Sequence, residues 1–99
     1  MARRVVWSLP AWNKLEAAAE YIAKDSPRYA AALISEARDA ARSLREFANR
    51  GRVVPEENDQ AIRELFVSSY RLIYRVTESE VQILSFIHQA RSARTPSRE

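Results

Sequence analysis

Apolar residues first recur at helical spacing at Trp12, Leu15, Ala19 and Ile22, with Ala18 widening the stripe. That spacing lines one face of a helix. Ser8 stands where a hydroxyl can cap the first turn, and Pro10 is tolerated there because its missing N–H is not needed. This helix is predicted to end near Lys24. Asp25-Ser26-Pro27 then stops one helix and starts another, with Ser26 as cap and Pro27 as first helical residue. Leu33, Ala37, Ala40, Leu44 and Phe47 form the second stripe, flanked by Ile34, Ala41 and Ala48. Arg50-Gly51 is predicted to close it, the cation suiting the helix dipole and the glycine a left-handed cap. A helix of about 24 residues would span roughly 36 Å. The short connection makes the pair an antiparallel hairpin.

On either side of the hairpin the period changes. Residues from about Arg3 to Trp7 read as an opening or edge strand. Arg52 to Gln60 reads as a polar loop, after which three apolar-rich runs follow: Ile62 to Val67, Arg71 to Thr77 and Val81 to Ile87. Ser68-Ser69-Tyr70 and Glu78-Ser79-Glu80 are short enough to be hairpin turns, so these runs form an antiparallel meander. The predicted order is β-α-α-β-β-β, an α+β fold with the opening strand in the sheet and the helical hairpin over one face. Because side chains alternate along a strand, Leu72, Tyr74 and Val76 should face the helices. Arg71, Ile73 and Arg75 are then left on an open, arginine-bearing face. Residues 1–91 read as a single domain and 92–99 as a basic, mobile tail.

Composition narrows the chemistry. With 46% hydrophobic and 29% charged residues in 99, the chain can bury one core and is not a disordered polymer. It has no cysteine, which removes disulfides, thiolate metal sites and cysteine nucleophiles and agrees with a reducing compartment. The basic start Met1-Ala2-Arg3-Arg4 is followed by no long apolar segment, so neither a signal peptide nor a membrane span is expected and a cytoplasmic protein is. The net charge of +3 rests almost wholly on arginine, since Lys14 and Lys24 are the only lysines. Arginine grips carboxylate and phosphate but keeps its proton, so an arginine face suits binding better than general-base work.

Three stretches carry a family resemblance: Gly51-Arg52-Val53-Val54-Pro55-Glu56, Ile62-Arg63-Glu64-Leu65, and Tyr70-Arg71-Leu72-Ile73-Tyr74-Arg75-Val76. With the ending Val81 to Arg91, which carries His88-Gln89-Ala90-Arg91, and the upstream Tyr21-Ile22-Ala23 and Ser26-Pro27, they resemble the ParE branch of the RelE/ParE toxins. The likeness covers roughly residues 3 to 91. It implies a growth-inhibiting toxin of a type II toxin–antitoxin pair, such as those that stabilise plasmids, blocked by a cognate antitoxin. RelE-like members cleave messenger RNA on the ribosome, whereas ParE toxins inhibit DNA gyrase without being enzymes.

Position by position, the resemblance gives Arg71 and Arg91 for the two arginines of the RelE-type site. The two lysine positions hold Ile62 and Glu64, and the tyrosine position falls near Ser97. Cleavage through the 2′-hydroxyl needs a proton acceptor, a proton donor and cations on the phosphate. Arg71 and Arg91 could hold phosphate, and His88 alone remains as an acid–base group. A nuclease would therefore use Arg71, His88 and Arg91. A non-catalytic gyrase inhibitor, the reading the missing residues favour, would contact its target through Arg63, Arg71, Ile73, Arg75, His88 and Arg91. A third possibility is an inactive relative that only binds antitoxin.

Plainer readings stand beside these. His88 could simply bond a turn, and the arginines could form a solvated sheet face, Arg75 pairing with Glu64 or Glu78. Trp7 and Trp12 read as core or hairpin-edge residues. An antitoxin would lie along the hairpin and the last strand, around Leu15, Tyr21, Leu33, Phe86 and Arg91. No cofactor, metal or membrane is expected, nor direct sequence-specific binding of nucleic acid by the toxin alone.

Overall fold

A computed structural model describes residues 2–90. Arg91, Ser97 and the expected tail 92–99 lie outside the described residues. The elements are β1 (Arg4–Trp7), α1 (Leu9–Ala23), α2 (Pro27–Ser43), β2 (Arg52–Val53), β3 (Ile62–Val67), β4 (Tyr70–Val76) and β5 (Glu80–His88). They form one sheet in the order β1-β5-β4-β3-β2. The meander is present, and β1 joins it by running parallel to β5, Val5 opposite Val81 and Trp7 opposite Ile83. The sheet is therefore mixed. A fifth strand, β2, occupies the start of what the pattern gives as loop, since two residues are too few to show alternation.

Both helices begin where their caps predict. Ser8 Oγ accepts from the Ala11 N–H at 3.1 Å and Ser26 Oγ from the Tyr29 N–H at 3.2 Å, each satisfying a donor that the first turn leaves without a partner. The end of α2 differs from expectation. It stops at Ser43 after 17 residues, and a series of turns carries the chain from Leu44 to Arg50. The Arg45 carbonyl there accepts from the Arg3 N–H at 3.0 Å, so β1 competes for a group that a continuing helix would use. Leu44 and Ala48 stay buried, which explains why the apolar period ran on past the helix.

Gly51 is correspondingly not a left-handed cap, for no described glycine has a positive φ. It is a point of close approach. A Cβ there would sit 2.5 Å from the Glu64 carbonyl oxygen and 2.6 Å from the Tyr74 hydroxyl.

The main core fills the space between hairpin and sheet, with α1 on β5 and α2 on β3. Leu15, Leu33, Ala37, Leu44, Leu72, Tyr74, Ile83 and Phe86 are among its members. Trp7 and Trp12 pack against it and meet edge to face at 5.4 Å. The second face of the sheet is not open as expected. The segment between β2 and β3 folds over it, burying Val54, Ile62 and Ile73, with Ile87 alongside, in a second small core.

Candidate functional site

Alternation along β2, β3 and β4 brings Arg52, Glu64, Phe66, Arg71 and Ile73 onto this second face. The registers set Arg52 opposite Glu64, Glu64 opposite Ile73 and Phe66 opposite Arg71. The turn after β2 adds Pro55 and Glu56. Together with Gln89 and Ala90, several of these residues line an open hollow of about 620 Å³.

At its floor the charges are matched. Arg71 Nε donates to Glu64 Oε1 at 2.6 Å, while its Nη1 and Nη2 donate to the two Glu56 oxygens at 2.9 and 2.7 Å. Arg52 Nε donates to the other Glu64 oxygen at 2.6 Å, and its guanidinium lies over the Phe66 ring at 5.3 Å. The Arg71 side chain is 5% exposed and that of Glu64 is fully buried. Two arginines thus face two glutamates, and the fork that could grip a phosphate is already occupied by carboxylates. The bonds to Glu56 raise the Arg71 pKa further, against the opposing effect of burial.

The remaining predicted residues are dispersed. Ile73 is buried beneath the loop. Arg75 pairs with Asp59 at 3.1 Å, not with Glu64 or Glu78. Arg63 lies on the opposite face, register partner of Tyr74, and donates to the Gly51 carbonyl at 2.7 Å. Tyr74 completes that anchor: its hydroxyl donates to the Ala48 carbonyl at 2.8 Å and accepts from the Gly51 N–H at 3.0 Å.

His88 is opposite Tyr70, and Arg71 is opposite Ile87. Successive strand residues point to opposite faces, so His88 and Arg71 project to different sides of the sheet. His88 is exposed, edge-on to Tyr70 at 5.6 Å, and its Nδ1 accepts from the Ala90 N–H at 3.3 Å. It serves the turn after β5. Among the described residues no three His, Asp or Glu side chains converge as a metal site.

Of the residues expected at an antitoxin surface, Leu15 is fully buried and is core. Leu33 and Phe86 are core as well, 3% and 2% exposed. Tyr21 is 71% exposed and borders a groove of about 320 Å³ between α1 and β5 that Phe86 underlies, and Leu33 underlies another of about 410 Å³ with Ile22, Tyr29 and Ser68. Sequence reading missed Glu56 and Asp59 as partners of Arg71 and Arg75. The available signal was the acidity of a loop holding Glu56, Glu57 and Asp59, preceding strands rich in arginine.

No helix among the described residues is long and apolar enough to cross a membrane. A search of curated proteins gives no match. Among solved structures the chain is similar to the chromosomal ParDE toxin–antitoxin system of P. aeruginosa, with a TM-score of 0.71 and 22% identity over 88% of this chain and 96% of that one. It is also similar to the RelBE2 toxin–antitoxin complex of Mycobacterium tuberculosis, with a TM-score of 0.58 and 23% identity over 89% and 99% of the two chains. These likenesses establish the shared fold. The model of the ParE toxin of the type II toxin–antitoxin system parDE matches residues 5–93, and the chain therefore belongs to that toxin family.

Proposed function

We propose that the protein arrests growth by binding and inhibiting DNA gyrase without catalysing a reaction, and that a cognate antitoxin holds it in check. One observation carries the non-catalytic reading. Arg71 is buried in bonds to Glu56 and Glu64 while His88 points to the other face of the sheet. A phosphoryl-transfer site needs its cation and its proton-transfer group around one reacting phosphate, and Arg71 and His88 do not meet around one point. A target-binding toxin needs only a surface. The exposed Phe66 ring under Arg52, at the mouth of the 620 Å³ hollow, is a mixed apolar and cationic anchor of the kind enriched at interfaces.

The antitoxin belongs to the same reading, because both similar structures are of toxin–antitoxin systems. The groove bordered by Tyr21 and Phe86 and the one bordered by Leu33 suit an amphipathic segment. Titrating purified gyrase with the folded protein tests the proposal. Supercoiling should be inhibited and then restored by the neighbouring gene product. Intact supercoiling together with cleavage of ribosome-bound message, lost in Arg71→Ala and His88→Ala variants that remain folded, would overturn it in favour of a nuclease.

A further inference from the structure

The arginines of the sheet are consumed internally, by Glu56, Asp59, Glu64 and the Gly51 carbonyl. Others are not. Arg38 and Arg42 are one turn apart on α2 and share one face of it, and Arg45 in the turn after the helix lines the same hollow. Arg4 on β1 borders the same hollow, about 310 Å³ in volume, whose apolar lining includes Val5 and Trp7. Among the described residues no acidic one lines it. Arg4 pairs with Glu80, and Arg42 pairs with Asp39 at 3.0 Å, both arginines well exposed. Arg38 and Arg45 have no ion-pair partner among the described residues.

We propose that this concavity between β1 and α2 is a binding surface for the phosphate backbone of duplex DNA, separate from the Arg71 face and independent of the gyrase reading. Arginine forks suit phosphate oxygens, and backbone contacts position a protein on a duplex without reading sequence. Arg38 and Arg42 lie about 6 Å apart along α2 at the helical rise, and Arg45 in the turn beyond extends the same charged rim, an arrangement suited to a stiff polyanion. A single strand is less well matched. Such sites offer aromatic platforms for stacking, and the one ring here, Trp7, is partly buried and engaged edge-on by Trp12. An acidic protein partner is less well matched too. Protein interfaces centre on exposed apolar anchors, yet the exposed Val6, Leu9, Tyr21, Tyr29, Phe47 and Phe66 all lie outside this hollow.

The test is fluorescence anisotropy of the full chain with a labelled 20-base-pair duplex of mixed sequence, repeated over a series of salt concentrations. The wild type should bind, more weakly as salt rises, and an unrelated duplex should bind equally. Arg38→Ala/Arg45→Ala should weaken binding about tenfold and reduce the slope of log K against log salt by about two. Both side chains are exposed, so thermal melting should be unchanged. Lys24→Ala/Arg28→Ala removes the same charge elsewhere and should leave affinity within about twofold. Equal loss in both double variants would overturn the site in favour of diffuse attraction. No duplex binding at low salt would overturn it outright. Tighter binding of a labelled single strand or of poly-glutamate would replace duplex DNA by that ligand class.

Discussion

Gly51 shows how one residue can be read correctly as special and wrongly as to why. Its place at the end of an apolar period suggests a helix cap, but its φ is negative and its requirement is space. A methyl group would press on the Glu64 backbone and the Tyr74 hydroxyl, neither of which can yield without disturbing β3 or the core. Gly51→Ala should therefore destabilise the fold by about 1–3 kcal/mol, measured by denaturant unfolding. A left-handed cap would make the same change costly through backbone strain instead, so an accompanying Tyr74→Phe separates the two. Relief of part of the Gly51→Ala cost in the double variant marks crowding.

Tyr74 also carries a pH signature. Burial raises its pKa, opposed in part by the Gly51 N–H bond and the nearby Arg63 and Arg50 charges. A group whose folded pKa lies above its unfolded value of about 10 contributes stability in full below that pH. The contribution is lost as pH rises through the folded value. The wild-type melting temperature should fall above about pH 10 more steeply than that of Tyr74→Phe. The variant itself should cost about 1 kcal/mol at neutral pH through its lost hydroxyl bonds.

At the scale of elements, helix starts were legible and one helix end was not. Ser8 and Ser26 announce their helices through local chemistry, since the capping hydroxyl and the N–H it serves are three residues apart. Ser26→Ala should accordingly cost about 1 kcal/mol in thermal or denaturant unfolding, and Ser26→Asp should retain most of that stability. The turns that follow α2 are tied by the Arg3 N–H, more than forty residues away in sequence, and no local pattern encodes that bond. The same limit applied to the candidate site. Alternation put Arg71, Ile73 and Arg75 on one face of β4 correctly, but it could not show that the segment carrying Val54, Glu56 and Asp59 folds over them. Register was equally out of reach. The sequence presents Arg71 and His88 as one constellation, and only the pairing of β4 with β5 reveals that they face apart.

For the whole molecule, a count of arginines says little until each is placed. Arg52, Arg71 and Arg75 in the strands are paired with carboxylates within the protein, and the last two act as internal ties that draw the loop onto the sheet. Arg38 on α2 and Arg45 in the turn after it keep their charge for the surroundings. The modest net charge of +3 thus hides a division between a matched face and an unmatched one, and only the second is expected to respond strongly to salt.

The parallel pairing of β1 with β5 has a consequence for timing. Arg4 and its register partner Glu80 are 76 residues apart, and α1 packs on the same last strand as well as on α2. At a synthesis rate of about 5–20 residues per second, the first strand waits about 4–15 s before its partner has been made. Until then Val5 and Trp7 have no neighbouring strand, and α1 has no floor. The sheet is therefore completed only once β5 has been made, and a partner that reads the assembled fold has nothing to recognise before that moment.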